Sequence, residues 1–180
     1  MKKFLFYLSF GAFLLSCTND KDKTAATSTA DATVKDTVEL PYKASYSSSW
    51  STDVSDADLK MVLMTYKDWE NNNMSGLAAG LADTVEVDFS SGDNVRLPRA
   101  GIMKIFTTYR DSLSSVTIDM QAWQKMYATD KKDGYIVTWY KETDTYKTGK
   151  VDSASYHDIN LVKNGKIVWY AQYKRPLKKK

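Results

Sequence analysis

The chain has one cysteine and one histidine in 180 residues, and each scarcity excludes chemistry. A lone thiol, Cys17, cannot close a disulfide within the chain, so stability has to come from packing. One histidine and one thiol leave only carboxylates as metal ligands, so no metal and no other cofactor is expected. Glycine-rich phosphate loops, nucleophile elbows and metalloprotease helices are missing from the sequence. Charge of one sign is also missing. The formal net charge is +3, and Lys2 and Lys3 supply two of these charges. Phosphate backbones need a concentrated positive field, so nucleic acid is not an expected partner. The basic end, Lys174-Arg175 and Lys178-Lys179-Lys180, reads as a frayed solvated tail. The apolar run from Phe4 to Leu15 is too short to cross a bilayer comfortably as a helix.

That run is nevertheless the most informative stretch. Met1-Lys2-Lys3 precedes it and Leu14-Leu15-Ser16-Cys17 closes it, the pattern of a secretory signal. Leu-Leu-Ser-Cys resembles the lipobox of bacterial lipoproteins, in which the cysteine thiol takes a diacylglyceryl group and becomes the mature N-terminus. The resemblance implies a signal peptide over 1–16, a lipidated Cys17, and a chain secreted across the inner membrane. It would be held to the cell envelope, at the outer membrane or cell surface. Each buried methylene contributes about 0.8 kcal/mol, so two or three acyl chains anchor a domain without spanning. An ordinary cleaved signal and an uncleaved anchor with an incidental thiol are the alternatives.

From 17 to 52 the composition is Thr, Ser, Ala, Asp and Lys with little periodic apolar content, which reads as a flexible tether. Tyr42, Tyr46 and Trp50 near its end leave open whether that part docks on the domain. Residues 53–180 form the one domain that the remaining length supports. Ser55-Asp56-Ala57-Asp58 opens a helix, with Ser55 as N-cap and acids in the first turn. Leu59, Val62, Leu63, Tyr66 and Trp69 follow a helical stripe that Asn71-Asn72-Asn73 ends. A short helix is expected from Met74 to Leu81 and a strand over Val85–Phe89. A third helix follows Pro98, with Ile102, Ile105, Phe106, Tyr109 and Leu113 on its buried face. The rest reads as sheet. Val116, Ile118, Met120 and Ala122 alternate until Trp123 breaks the phase, the mark of a β-bulge. Asn164-Gly165 between apolar runs is a two-residue hairpin turn.

The order helix, helix, strand, helix, then four long strands ending in the Asn-Gly-Lys-Ile turn resembles the nuclear transport factor 2-like superfamily, and within it the SnoaL-like group. The resembling region runs from about Asp56 to Pro176. Tyr66 and Trp69 of the first helix, the third helix after Arg99, and His157-Asp158-Ile159-Asn160-Leu161-Val162 with the following turn carry it. It implies an α+β cone: a strongly curved antiparallel sheet wrapped around about three N-terminal helices, with an apolar pocket at the open end. It also implies a homodimer formed through the outer sheet face.

The hairpin assigns faces if pairing runs outward from Lys163 and Lys166 in register. Leu161 then opposes Val168, Ile159 opposes Tyr170, and His157 opposes Gln172. The resemblance makes this the concave face, so these six, with Tyr66 and Trp69, are the candidate pocket. Trp169, Tyr156, Tyr173, Val162 and Ile167 fall on the outer, dimerising face. His157 is the one side chain that titrates near neutrality unperturbed, and is the candidate general acid or base. No carboxylate shares its strand face to orient it, so a half-buried structural histidine is the plainer reading. Among superfamily enzymes, a histidine pair has no counterpart here, and Asp68 or Asp88 with Tyr170 only loosely matches a ketosteroid isomerase site. The function expected is binding, without catalysis, of a small apolar ligand or a protein partner. The alternative is a SnoaL-like enzyme of isomerase, dehydratase or cyclase type, using His157.

Overall fold

A computed structural model describes residues 38–177. The signal, Cys17 and the tether as far as residue 37 lie outside the described residues, as do 178–180. Strand β1 is Trp50–Ser51, followed by helices α1 (Asp56–Glu70) and α2 (Met74–Gly80). A hairpin of β2 (Leu81–Asp88) and β3 (Asn94–Pro98) leads into α3 (Arg99–Arg110). Four long strands complete the chain: β4 (Leu113–Ala128), β5 (Asp133–Tyr146), β6 (Val151–Lys163) and β7 (Lys166–Pro176).

The helices start and stop where local chemistry requires. Ser55 Oγ accepts the Asp58 amide at 3.0 Å, satisfying one of the orphan donors of the first turn of α1. At the other end, buried Arg110 donates to the carbonyls of Trp69 and Glu70 at 3.0 and 3.2 Å. A cation placed at a helix C-terminus meets both the free carbonyls and the negative end of the dipole. This contact also fixes α3 against α1. Helix α2 packs close to α1 because Gly80 has no side chain; a Cβ there would lie 2.5 Å from Thr65 Cγ2.

All seven strands form one sheet in the order β1-β4-β5-β6-β7-β2-β3. Every neighbouring pair is antiparallel except β2 and β7, which run parallel. The sheet curves around the helices to give an α+β cone of the nuclear transport factor 2-like kind. The phase break near Trp123 is a bulge: Met120 pairs with Tyr140 and Ala122 with Trp139, leaving Gln121 over. Two strands escape the sequence reading. β3 is only five residues long, and β1 lies inside the expected tether. There the Thr129 amide donates to Ser49 O at 3.0 Å, and Tyr46, Trp50 and Tyr135 form an aromatic cluster. Packing onto the domain therefore begins before residue 53.

The register at the last hairpin corrects the face assignment. Val162 pairs with Ile167 but Leu161 pairs with Trp169, so Val168 is an extra residue in a bulge. Beyond it, Asn160 opposes Tyr170, Asp158 opposes Gln172, and His157 opposes Tyr173. Ala154, Tyr156, Asp158, Asn160 and Val162 are buried on the inner face of β6. His157, Ile159 and Leu161 therefore lie on the outer face. Tyr156, Val162 and Ile167, expected outside, belong to the core. Ile105 and Tyr109 of α3, expected to be buried, are 37 and 41 % exposed.

Candidate functional site

A cavity of about 390 Å³ opens between α1, α3 and the inner face of the sheet. Its walls are mainly apolar, from Leu77, Leu81, Val85, Val87, Phe89, Phe106 and Ile167. Aromatic rings line much of the remainder. Trp69 stacks on Tyr109 with ring centres 6.1 Å apart, and Tyr140 stacks on Tyr156 at 5.1 Å. The exposure of Ile105 and Tyr109 follows from this opening, since both line the cavity instead of closing over it.

Behind the aromatic wall sits a polar network with Asp158 at its centre. Asp158 is fully buried, because β6 turns residues 156, 158 and 160 inward together. Its Oδ2 accepts the hydroxyls of Tyr140 at 2.8 Å and of Tyr66 and Tyr170 at 3.0 Å. Each tyrosine comes from a different element: α1, β5 and β7. Thr138 Oγ1 lies 2.8 Å from the Tyr66 hydroxyl, and Asn160 donates to it at 3.2 Å. Since the one Tyr66 proton goes to Asp158, Thr138 is the donor in that pair. Gln172 donates to Tyr170 at 2.7 Å. Asp158 Oδ1, by contrast, has no partner among the described residues.

Burial sets the protonation of this network. It pushes the Asp158 carboxyl up to about 7, against the three tyrosine hydroxyls that favour the anion. The hydroxyls of Tyr66, Tyr140 and Tyr170 are raised as well, by burial first and then by the adjacent Asp158 charge. They are protonated donors at any physiological pH.

Glu142 is the one carboxyl in the cavity lining. It lies on the Tyr140 face of β5, opposite Ala154, whose small side chain leaves room for it. Burial pushes it up to about 8, helped by the charges of Asp144 and Asp158. Asp144, two residues further along the same face, is also raised, chiefly by burial. Asp144 Oδ2 receives the Tyr109 hydroxyl at 2.9 Å, whereas its Oδ1 has no partner among the described residues. Burial thus favours the neutral acid form of Glu142 in the cavity at pH 7. Among the described residues no group of three or more His, Cys, Asp or Glu is placed to hold a metal ion.

The sequence candidates divide accordingly. Tyr66, Trp69, Tyr170 and Gln172 line the cavity. His157, Ile159, Leu161 and Val168 do not. His157 stacks between Trp139 and Tyr173 on the outer face, with ring centres 4.9 and 5.8 Å away. Asp68 receives the Asn73 side chain near the end of α1, and Asp88 receives the Trp169 indole; neither lines the cavity. Glu142, Asp144 and Asp158 were missed as site residues. A strand period of two counted from Tyr140 places Glu142 and Asp144 on one face, and that signal was available.

No protein-family model matches the sequence, and no curated protein resembles it in sequence. Solved structures do share the fold. An LEH-like epoxide hydrolase from M. tuberculosis superposes with a TM-score of 0.56 at 9% identity, covering 66% of this chain and 83% of that one. An NTF2-like protein from Anabaena variabilis gives 0.55 at 16% identity, with 71% and 96% covered. A protein named as a SnoaL-like polyketide cyclase from Jannaschia sp. CCS1 gives 0.55 at 8% identity, with 69% and 91% covered. At these identities the likeness is one of fold.

Proposed function

We propose that the cone is the chamber of a proton-transfer enzyme acting on a small, mostly apolar molecule, carried on a lipid anchor at Cys17. The observation that carries the catalytic reading is Glu142. A carboxyl held neutral at pH 7 inside an apolar cavity is a general acid poised near its working pH. Its proton passes to an oxygen of the substrate, a carbonyl or an ether. The resulting carboxylate, beside Asp144, then takes a proton from a substrate carbon or from water. Asp158 is a positioning residue: it fixes the hydroxyls of Tyr66, Tyr140 and Tyr170, and with them the ring faces that shape the chamber. The fold neighbours named as an epoxide hydrolase and as a SnoaL-like polyketide cyclase support an enzymatic use of the cone. The cavity volume of about 390 Å³ suits a molecule of one to three rings.

The experiment is solvent-deuterium incorporation, followed by NMR, into a panel of cyclic enones and aromatic β-diketones, alongside binding of the same compounds. Glu142→Gln should lower exchange about a hundredfold or more while binding stays within a few fold. Binding across the panel with no exchange above the uncatalysed rate would refute the enzyme and return the chamber to ligand binding alone. Exchange that survives Glu142→Gln would refute its role.

A further inference from the structure

Three acids around the cavity lack a counter-ion. Glu142, Asp144 and Asp158 are 7, 3 and 0 % exposed, and none of the ion pairs among the described residues includes any of them. Asp158 is compensated by its three tyrosine hydroxyls. Asp144 has one hydroxyl, on Oδ2, and an orphaned Oδ1. Buried carboxyls are ordinarily paired with a cation. Around these acids the wall is rich in rings, with eight aromatic side chains lining the cavity. Two of the rings already carry a cation: the Lys174 ammonium lies 5.6 Å from the centre of Tyr156, and the Arg110 guanidinium 6.0 Å from that of Trp69. Both cations are engaged elsewhere, Lys174 with Asp152 at 3.4 Å and Arg110 with the last carbonyls of α1. Tyr156 pairs with Tyr140, and Ala154 with Glu142. The free carboxyl and the stacked rings therefore share the inner face of neighbouring strands.

We propose that the chamber binds a small organic ammonium ion, its charged nitrogen at Glu142 and its apolar body against the aromatic wall. An alkylated nitrogen asks for a negative partner and ring faces, with no set of hydrogen bonds, and aromatic cages recognise such ions for that reason. A metal cation needs several oxygen ligands, which a wall of rings does not supply. As the ammonium enters, the proton of Glu142 leaves for solvent; one positive charge replaces another and no other bond changes. The titratable groups around Glu142 are Tyr140 and Asp144 on β5, Asp152, Tyr156 and Asp158 on β6, Tyr170 and Lys174 on β7, Tyr66 on α1 and Tyr109 on α3. Burial raises all five tyrosines, which stay neutral. Lys174 is the one opposing charge, and Asp152 offsets it. The inference goes beyond the proton-transfer reading and does not depend on it: the cation binds whether or not a neutral substrate is turned over.

The test is titration calorimetry with three probes of one size: benzyltrimethylammonium, its neutral isostere neopentylbenzene, and the anion phenylacetate. At pH 9 the ammonium should bind about tenfold or more tightly than either of the others. Below about pH 8, where Glu142 holds its proton, the affinity for the ammonium should fall about tenfold per pH unit. Measured at pH 6.5 in buffers of different ionisation enthalpy, about one proton should be released per ammonium bound. Neopentylbenzene should show neither effect. In Glu142→Gln the ratio of ammonium to isostere affinity should drop about tenfold or more, and the proton release should vanish. Equal affinity for ammonium and isostere at pH 9 would overturn the inference. So would tighter binding of phenylacetate, which would make Lys174 the governing charge. A preference for the ammonium with no proton release, or one that survives Glu142→Gln, would overturn Glu142 as its partner. Should that variant fail to fold, the proton count in the parent chain decides. Ammonium binding without deuterium exchange would leave this inference standing and remove the enzyme; exchange without ammonium binding would do the reverse.

Discussion

Replacing Asp158 by Asn should flatten the dependence of stability on pH. In the native chain the carboxyl binds its proton more tightly than an unfolded Asp does, about 7 against 3.8. A raised folded value means that the group contributes its full stabilisation below the unfolded value and loses it as pH rises through the folded one. A shift of about three units, at 1.36 kcal/mol each, makes the contribution about 4 kcal/mol. Between about pH 5 and 6.5, where the folded state holds the proton and the unfolded state does not, the loss is about 1.4 kcal/mol per pH unit. Asn keeps the shape and one acceptor oxygen for Tyr66, Tyr140 and Tyr170. Its amide points where Oδ1 already lacks a partner, which costs about 1–3 kcal/mol at every pH. The variant should therefore be the weaker protein at pH 4 to 5 and equal to or stronger than the parent at pH 8. Urea melts at half-unit pH intervals give the comparison directly. A stability difference that stays constant from pH 4 to 8 would refute the idea that Asp158 is buried as an acid in equilibrium with its anion.

Tyr66→Phe removes one of the three hydroxyls on Asp158 and strands Thr138 and one Asn160 contact. Denaturant melts should show a loss of about 1–3 kcal/mol at pH 8, and a smaller loss at pH 5, where Asp158 is neutral. Cys17→Ala should abolish incorporation of a fatty-acid analogue while the circular dichroism of the domain is unchanged. Label retained in that variant would place the lipid elsewhere, or nowhere.

The sequence disclosed the elements better than the faces. Ser55, Pro98 and Asn164-Gly165 mark element boundaries through backbone chemistry that is local, and all three mark them in the structure. The bulge at Val168 was illegible for a physical reason. It falls in Ile167-Val168-Trp169-Tyr170, four apolar residues in a row, where no alternation reports the phase. On β6 the alternation was present but inverted in meaning. The inner face carries Tyr156, Asp158 and Asn160, while the outer one carries His157, Ile159 and Leu161, so the face that the resemblance was taken to make concave is the outer one. An inner face that is polar because its groups satisfy one another looks, in one dimension, like a solvated one. Glu142 and Asp144 were hidden differently. Acidic residues at i and i+2 on a strand ordinarily mean an exposed face, and only the curvature of the sheet encloses them.

The parallel pairing of β2 with β7 has a consequence for how the chain reaches its native state. Leu81 pairs with Ile167 and Asp88 with Ala171, so two walls of the cavity come from segments more than 80 residues apart. Contacts of that separation are paid for in loop entropy before they return anything, which slows folding. Until β7 is in place, β2 and β3 have no sheet to join, and the inner surfaces of α1 and α3 stay open to water. On loop entropy alone, pairing of β4 to β7 through successive hairpins is cheaper than closure of β2 onto β7. The export proposed for this chain would gain from such a topology, because the segments made first cannot complete the sheet without β7.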